Sequence, residues 1–182
     1  MSRRWMPWLA ATLAVAALVH LATLYALPRR IMARTLARMG PPNTMRFAKR
    51  PDETSRGVVR PSPDILYSAC PFDLSKGPLK LTARVPHSTY WSVSAFDAAT
   101  NNFFVRNDQQ TAGDSIEILA VRPGMALPPL DTATDRVILF APTTKGLFLI
   151  RMVIDDDKNL PALDALQRQA SCETVASLPT PH

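Results

Sequence analysis

Residues 8–27, WLAATLAVAALVHLATLYAL, are apolar except for Thr12, His20, Thr23 and the Tyr25 hydroxyl, whereas the chain beyond residue 57 is cut into short apolar stretches at strand spacing. The first stretch lacks the polar stripe of a surface helix, and it reaches the roughly 20 residues of helix that a bilayer core requires. Its threonines can bond back to the helix backbone, while Trp5, Trp8 and Tyr25 lie near the ends, where amphipathic rings favour the interface. The competing expectation is a cleaved signal peptide, because Arg3 and Arg4 provide a basic start. The exit, Leu24-Tyr25-Ala26-Leu27-Pro28-Arg29-Arg30, lacks the small-residue pattern that cleavage needs, which favours a retained anchor. His20 is either a functional intramembrane group or a neutral side chain bonded to a neighbour.

Pro28 is expected to open a second, short helix over 31–39 that lies at the headgroups, with Ile31, Met32, Leu36 and Met39 set among Arg34 and Arg38. Gly40-Pro41-Pro42-Asn43 stops it, and 47–56 reads as a polar linker. The expected organisation is an anchor with its juxtamembrane helix over 1–40, a linker over 41–56 and a β-rich domain over 57–182.

Within that domain the clearest strand is 79–85, where Leu79, Leu81, Ala83 and Val85 alternate with Lys80, Thr82 and Arg84. After Pro86-His87-Ser88-Thr89 comes 90–96, with Trp91, Val93 and Ala95 on one face, and the two strands are expected to form a hairpin. Further strands are expected at 65–72, 102–106, 115–121, 136–141 and 147–154. The last two, separated by Pro142-Thr143-Thr144-Lys145-Gly146, are nearly continuously apolar and predict central strands covered on both faces. Asn159 is positioned to cap a final helix carrying Pro161 in its first turn and Leu160, Leu163, Leu166 and Ala170 at helical spacing. The fold class that follows is mainly β: a transmembrane helix, then a compact antiparallel sandwich or barrel-like domain with a short C-terminal helix.

Charge changes the picture of what this chain meets. The net charge of +6 suggests nucleic acid until it is divided: residues 1–50 hold nine Lys/Arg and no acid, so residues 51–182 carry twelve Lys/Arg against all fifteen acids. The domain itself is therefore net negative and repels phosphate backbones, which excludes nucleic acid as a partner. The basic excess lies beside the apolar run, where each Arg or Lys favours anionic headgroups by about 1 kcal/mol, and the lipid bilayer is the partner it implies. Seventeen Pro against six Gly fits many short elements joined by rigid turns.

Three segments then take on a familiar order and spacing: Arg60-Pro61-Ser62-Pro63-Asp64-Ile65-Leu66-Tyr67-Ser68, Phe72-Asp73-Leu74-Ser75-Lys76-Gly77-Pro78, and Tyr90-Trp91-Ser92 followed by Phe96-Asp97 and Asn101-Asn102-Phe103. Together they resemble the bacterial family called domain of unknown function 1254, from about residue 57 to 121 and more loosely to 154. Ser62 and Ile65 stand where the longer members have Asn and Thr, so the sequence looks more like a short, membrane-anchored branch. Longer members fuse this β-rich domain to a second, domain of unknown function 1214. The resemblance thus implies a partner carrying that second domain on a separate chain, and it implies no catalytic residues.

Candidate chemistry is sparse. Pro61 and Pro63 stiffen the approach to Asp64 and Tyr67, so Arg60, Asp64, Tyr67 and Trp91 form the candidate binding set; the plainer expectation is a strand entry in which Asp64 pairs with Arg60 or accepts backbone N–H bonds. Asp73 and Asp97 precede turn-like segments and are expected to serve them. Gly113-Asp114-Ser115-Ile116 imitates a serine-esterase segment, but the domain offers only His87 and His182 as bases and no Asp-x-x-His follows, so a turn before a strand is the better reading. Neither paired histidines nor Cys-x-x-Cys is present, and Asp155-Asp156-Asp157 lacks the ligand alternation of a calcium loop, so no metal and no cofactor are expected. Without a Gly-x-Gly, nucleotide cradles are disfavoured as well.

Orientation rests on opposing signals. Arg29, Arg30, Arg34 and Arg38 after the span against Arg3, Arg4 and the amino group before it favour a cytoplasmic domain. The short basic tail leading at once into an apolar run favours export, and Cys70 and Cys172 suffice for one disulfide in an oxidising compartment, although two unrelated buried thiols fit almost as well. Export is the expectation, placing the protein in the bacterial inner membrane as a single-pass protein with its domain on the periplasmic side. Function is then expected to be binding or assembly beside the companion chain rather than catalysis. The alternatives are an envelope hydrolase using Asp64 and Tyr67 in a cleft, and a small-ligand or lipid-binding domain with an apolar cavity between sheet and helix.

Overall fold

One helix, α1 (Met6–Met39), runs through the whole N-terminal region of the structure, a computed structural model that describes residues 4–55, 61–111, 113–125, 127 and 136–175. At 1.5 Å per residue it is about 50 Å long. Thr12 and Thr23 donate to the Trp8 and Val19 carbonyls at 2.9 and 2.8 Å, as their place in an apolar helix requires. Pro28 does not open a second helix: it sits inside α1. Its ring costs one backbone bond. Beside it Arg29 folds back, its Nη1 donating to the Tyr25 carbonyl at 2.7 Å and its guanidinium lying 3.7 Å from the Tyr25 ring centre.

The expected headgroup helix is thus the last three turns of α1, and of its apolar residues Ile31 is exposed whereas Met32, Leu36 and Met39 turn to the domain. Met32, with Leu36 and Met39 beside it, packs on Ala69, Leu147, Leu149 and Phe96. These four belong to the outer face of a five-stranded antiparallel sheet made of β1 (Arg46–Phe47), β2 (Ile65–Asp73), β8 (Lys145–Val153), β4 (Trp91–Phe96) and β5 (Asn102–Asn107), in the order β1-β2-β8-β4-β5. Because α1 covers one face and the core the other, β2 and β8 are buried on both sides at their centres, which explains their long apolar runs.

The second sheet has the order β7-β6-β3-β9, from β3 (Leu79–Arg84), β6 (Ser115–Val121), β7 (Arg136–Phe140) and β9 (Ser171–Thr174). The two sheets face each other across one core: Cys70, Phe72, Trp91, Val93, Phe148, Ile150 and Met152 from the first meet Leu79, Leu81, Ala83, Ile116, Ile118 and Ala120 from the second. The arrangement is an open sandwich, not a barrel, and its second sheet is mixed, since β7 lies parallel to β6. Although β7 is apolar it forms an edge, with Phe140 59% exposed. The doubly covered reading therefore fits β8 but fails for β7.

The expected hairpin does not form either. β3 pairs with β6 and β9, whereas β4 pairs with β8 and β5 in the other sheet. A tight hairpin needs left-handed residues in its turn. The Pro86-His87-Ser88-Thr89 connection has no glycine or asparagine and carries the chain between layers. A second short helix, α2 (Leu160–Gln167), covers Leu66 and Ile154 with Leu160 and Leu163. It ends before Ala170, and the Asn159 side chain does not cap it; the Asp156 carboxylate instead accepts from the Lys158 N–H at the turn before it. Cys172 consequently lies in β9 rather than in a helix. It is bonded to Cys70 of β2, with Cα atoms 6.4 Å apart, so the disulfide joins sheet to sheet.

Gly146 marks the tightest point of the first sheet. Opposite Phe72 in register, it leaves no room for a side chain: a Cβ there would overlap the Phe96 carbonyl oxygen and the Phe72 ring. Gly146→Ala is expected to destabilise the protein by about 1–3 kcal/mol, as overpacking does, seen as a lower denaturant midpoint with unchanged slope.

Candidate functional site

Of the four residues singled out around the Pro-x-Pro-Asp motif, the three that the structure describes, Asp64, Tyr67 and Trp91, do not point to one place. Trp91, only 2% exposed, points into the core, on the face of the first sheet that also carries Leu66 and Met152 in its row. Tyr67 is one residue from Leu66 and therefore points to the opposite face. Its hydroxyl accepts from the Ser62 N–H at 3.1 Å. Asp64 stands at the entry of β2 with its side chain 72% exposed, 3.9 Å from Arg50. That arginine is held more closely by Asp157, at 2.6 Å, and by the Pro63 carbonyl, at 2.8 Å. Arg60 lies outside the described residues. The Asp64 backbone extends the sheet, its carbonyl accepting from the Ile154 N–H at 2.8 Å.

The other acids are also occupied by turns. Ser115 begins β6, while Asp114 before it pairs with Arg84. Asp73 accepts from the Ser75 N–H at 2.9 Å, starting the 3₁₀ turn Leu74–Lys76, and Lys145 lies 3.2 Å from it. Asp97 closes the turn between β4 and β5, accepting from the Ala99 and Asn101 N–H groups and the Asn101 amide at 2.8–2.9 Å. Among the described residues no three His, Cys, Asp or Glu side chains are grouped to hold a metal ion.

Asp73 and Asp97 lie at the same end of the first sheet, and there the structure does form a concavity. A groove of 460 Å³ separates the last turns of α1 from the sheet, lined on the helix side by Met32, Ala33, Leu36 and Ala37 and on the sheet side by Pro71 and Phe72. Arg29, Asp73, Ala98 and Lys145 complete it. Two of the three segments that carry the family resemblance, 72–78 and 96–103, therefore border this groove. Sequence reading missed it because it depends on α1 lying back on the sheet. Asn43, which sequence marks only as a helix stop, fixes that placement: its side chain accepts from the Asp73 N–H at 2.7 Å and donates to the Asp73 carbonyl at 2.9 Å and to Thr174 at 2.7 Å, tying the connector to both sheets. Its positive φ of 57° is one that Asn tolerates. Arg46 adds a bond from Nε to the Met39 carbonyl at 2.8 Å, capping the helix end.

The two carboxylates at this end of the sheet are also acid-sensitive, and they are the more buried of the acids so shifted. For Asp97 burial alone acts to raise the pKa, but the bonds from Asn101 and Ala99 and the nearby Arg29 charge outweigh it, leaving the carboxyl more acidic than usual. For Asp73 burial is likewise overcome, by the Ser75 bonds and Lys145. A carboxyl more acidic in the folded than in the unfolded chain contributes stability that is complete above its unfolded pKa and is lost as pH falls through the folded one. Stability is expected to be flat from about pH 5 to 8 and to decline below about pH 4. Asp97→Asn is expected to shallow that decline, as read by thermal unfolding across the acid range.

The fold and this junction define a class: a two-sheet β domain seated on one long apolar helix that has the length and composition of a membrane anchor or signal sequence. The chain belongs to the family described as "Protein of unknown function (DUF1254)", which matches residues 42–174, a wider span than the segments that first suggested it. No curated protein matches the sequence. Among solved structures, the VPA0106 protein from Vibrio parahaemolyticus is similar at a TM-score of 0.65 with 12% identity, over 88% of this chain and 41% of that one. An uncharacterised protein from Burkholderia cenocepacia is similar at a TM-score of 0.50 with 16% identity, over 90% and 44%. These likenesses are of fold, and the chain spans less than half the length of either structure.

Proposed function

We propose that this protein is a single-pass component of the bacterial inner membrane whose periplasmic β domain is an assembly module for a second protein, one carrying the domain of unknown function 1214 on its own chain. The observation that supports the reading is the junction of α1 with the first sheet: with Met32 buried and Asn43 bonded to both sheets, the domain holds a defined pose relative to that helix. A fixed pose serves assembly by lowering the entropy lost when a partner docks. The opposite edge supplies a surface for one, where β7 exposes Ile138 and Phe140. In the two similar solved structures more than half of the polypeptide lies beyond the matched region. The Cys70–Cys172 bond supports the oxidising side of the membrane.

Two measurements test this. A periplasm-dependent reporter fused after His182 is expected to be active and a cytoplasm-dependent one silent; the reverse would sink the orientation. Tagged full-length protein purified from native membranes in mild detergent is expected to bring down a companion-domain protein in near-equal amount, and Phe140→Glu to lose it. Recovery of the chain without such a partner would remove the assembly role.

A further inference from the structure

Where α1 leaves its apolar span, its character changes within two residues. Leu27 is the last apolar residue of the 8–27 stretch, and Arg29, Arg30, Arg34 and Arg38 follow on a segment without an acid. None of these four forms a salt bridge among the described residues, unlike Arg50, Arg84, Arg136 and Arg168 in the domain. The groove begins on this segment, at Arg29, and follows the helix to Gly40, about 16 Å at helical rise. That distance exceeds the roughly 5–8 Å of one interfacial layer, so a groove rooted at the hydrocarbon boundary extends above the headgroups. Its walls are carbon, while its charged groups are Arg29, Lys145 and Asp73, the last engaged by Lys145. Ala33 and Ala37 face it with small, exposed side chains, which keeps it open.

We infer that this groove holds one acidic phospholipid drawn from the leaflet on the domain's side, with an acyl chain along Ala33, Leu36, Ala37 and Pro71 and the phosphate at Arg29 and Lys145. The inference rests on α1 crossing the bilayer. Three features carry it together: continuity of the groove with the span, an apolar lining of ligand-pocket size, and a run of arginines on the same helix segment, of which Arg30, Arg34 and Arg38 form no salt bridge among the described residues while Arg29 has only the nearby Asp97 charge. The lipid fills a gap that the helix and sheet leave between them, which makes the membrane part of the domain's seat.

The test uses the full-length protein in nanodiscs containing equal phosphatidylcholine and phosphatidylglycerol, released into detergent for native mass spectrometry. Retention of one phosphatidylglycerol is expected, reduced about tenfold, or 1.4 kcal/mol, by Ala37→Trp, which fills the groove from its exposed side. Arg29→Gln with Lys145→Gln is expected to abolish the preference for phosphatidylglycerol while some lipid is kept. Equal retention by the wild type and Ala37→Trp would overturn the inference. So would an Ala37→Trp protein that loses a protein partner but keeps its lipid, which would give the groove to that partner. Resistance to carbonate extraction is measured on the same samples: if carbonate releases the chain, the membrane reading itself fails and the lipid site falls with it, whereas a retained chain without bound lipid defeats the site alone.

Discussion

Replacing Cys70 and Cys172 together with alanine is expected to cost about 4–5 kcal/mol of stability, most of what a domain of this size holds in reserve. The bond closes a loop of 102 residues, nearly the whole domain, so its loss frees almost the entire unfolded chain. It also has a local task. β9 is a four-residue edge strand, fastened to the rest by its ladder with β3, by the Asn43–Thr174 bond and by this disulfide. Without the covalent tie, the strand that follows α2 is held only by non-covalent bonds, its ladder and the Thr82–Ser171 and Asn43–Thr174 contacts. The check is thermal and denaturant unfolding of the full-length protein in detergent, with the double variant beside the wild type. A drop in the midpoint with a steeper denaturant slope is expected, because the uncrosslinked chain exposes more surface on unfolding. A change below about 1 kcal/mol would mean that the two thiols act separately, and would withdraw one support from the periplasmic assignment.

The pairing across the sandwich was only half visible in the sequence, for a reason that applies to most of its errors. Alternation at 79–84 reveals that Leu79, Leu81 and Ala83 share a face, and they do, but it says nothing of which sheet the strand joins. Neighbours in sequence were paired as a hairpin, and the tertiary structure sent β3 and β4 to different layers. Apolar spacing through Ala170 carries the expected helix up to the edge of β9, and the four residues of β9 are too few to show a period of two. Pro28 suggested a break that α1 does not make. The apolar stripe of Met32, Leu36 and Met39 is legible in the sequence as a stripe, but a stripe beside an apolar span does not say whether lipid or protein covers it. Its true target, the outer face of β2 and β8, could be inferred only from their unbroken apolar runs. The groove was invisible for the same reason, since every wall of it comes from that docking. By contrast the turn roles of Asp73 and Asp97 followed from local chemistry alone, and short-range chemistry is what a sequence states directly.

Trp91→Ala provides the sharpest separation of core from site, with an expected loss of about 3–5 kcal/mol. In the sequence Trp91 belongs to the candidate binding set with Arg60, Asp64 and Tyr67. Its environment argues otherwise: it is among the largest fully buried side chains, on β4 next to Met152 of β8, with the second sheet over it. Truncation there opens a cavity that the flanking strands, fixed by register on both sides, cannot collapse to fill. Trp91→Phe keeps most of the volume and is expected to recover over half of the loss, as a packing role requires. A binding role predicts a different pattern: both variants near wild type in stability and both defective in partner or lipid retention. Trp91 is also the sole tryptophan beyond α1, so in the wild type the loss of its blue-shifted emission on denaturation follows the core directly. The cost of Trp91→Ala, set beside wild-type retention of partner and lipid at a temperature where the variant remains folded, would assign this residue to the interior and leave the groove and the β7 edge as the surfaces on which the protein acts.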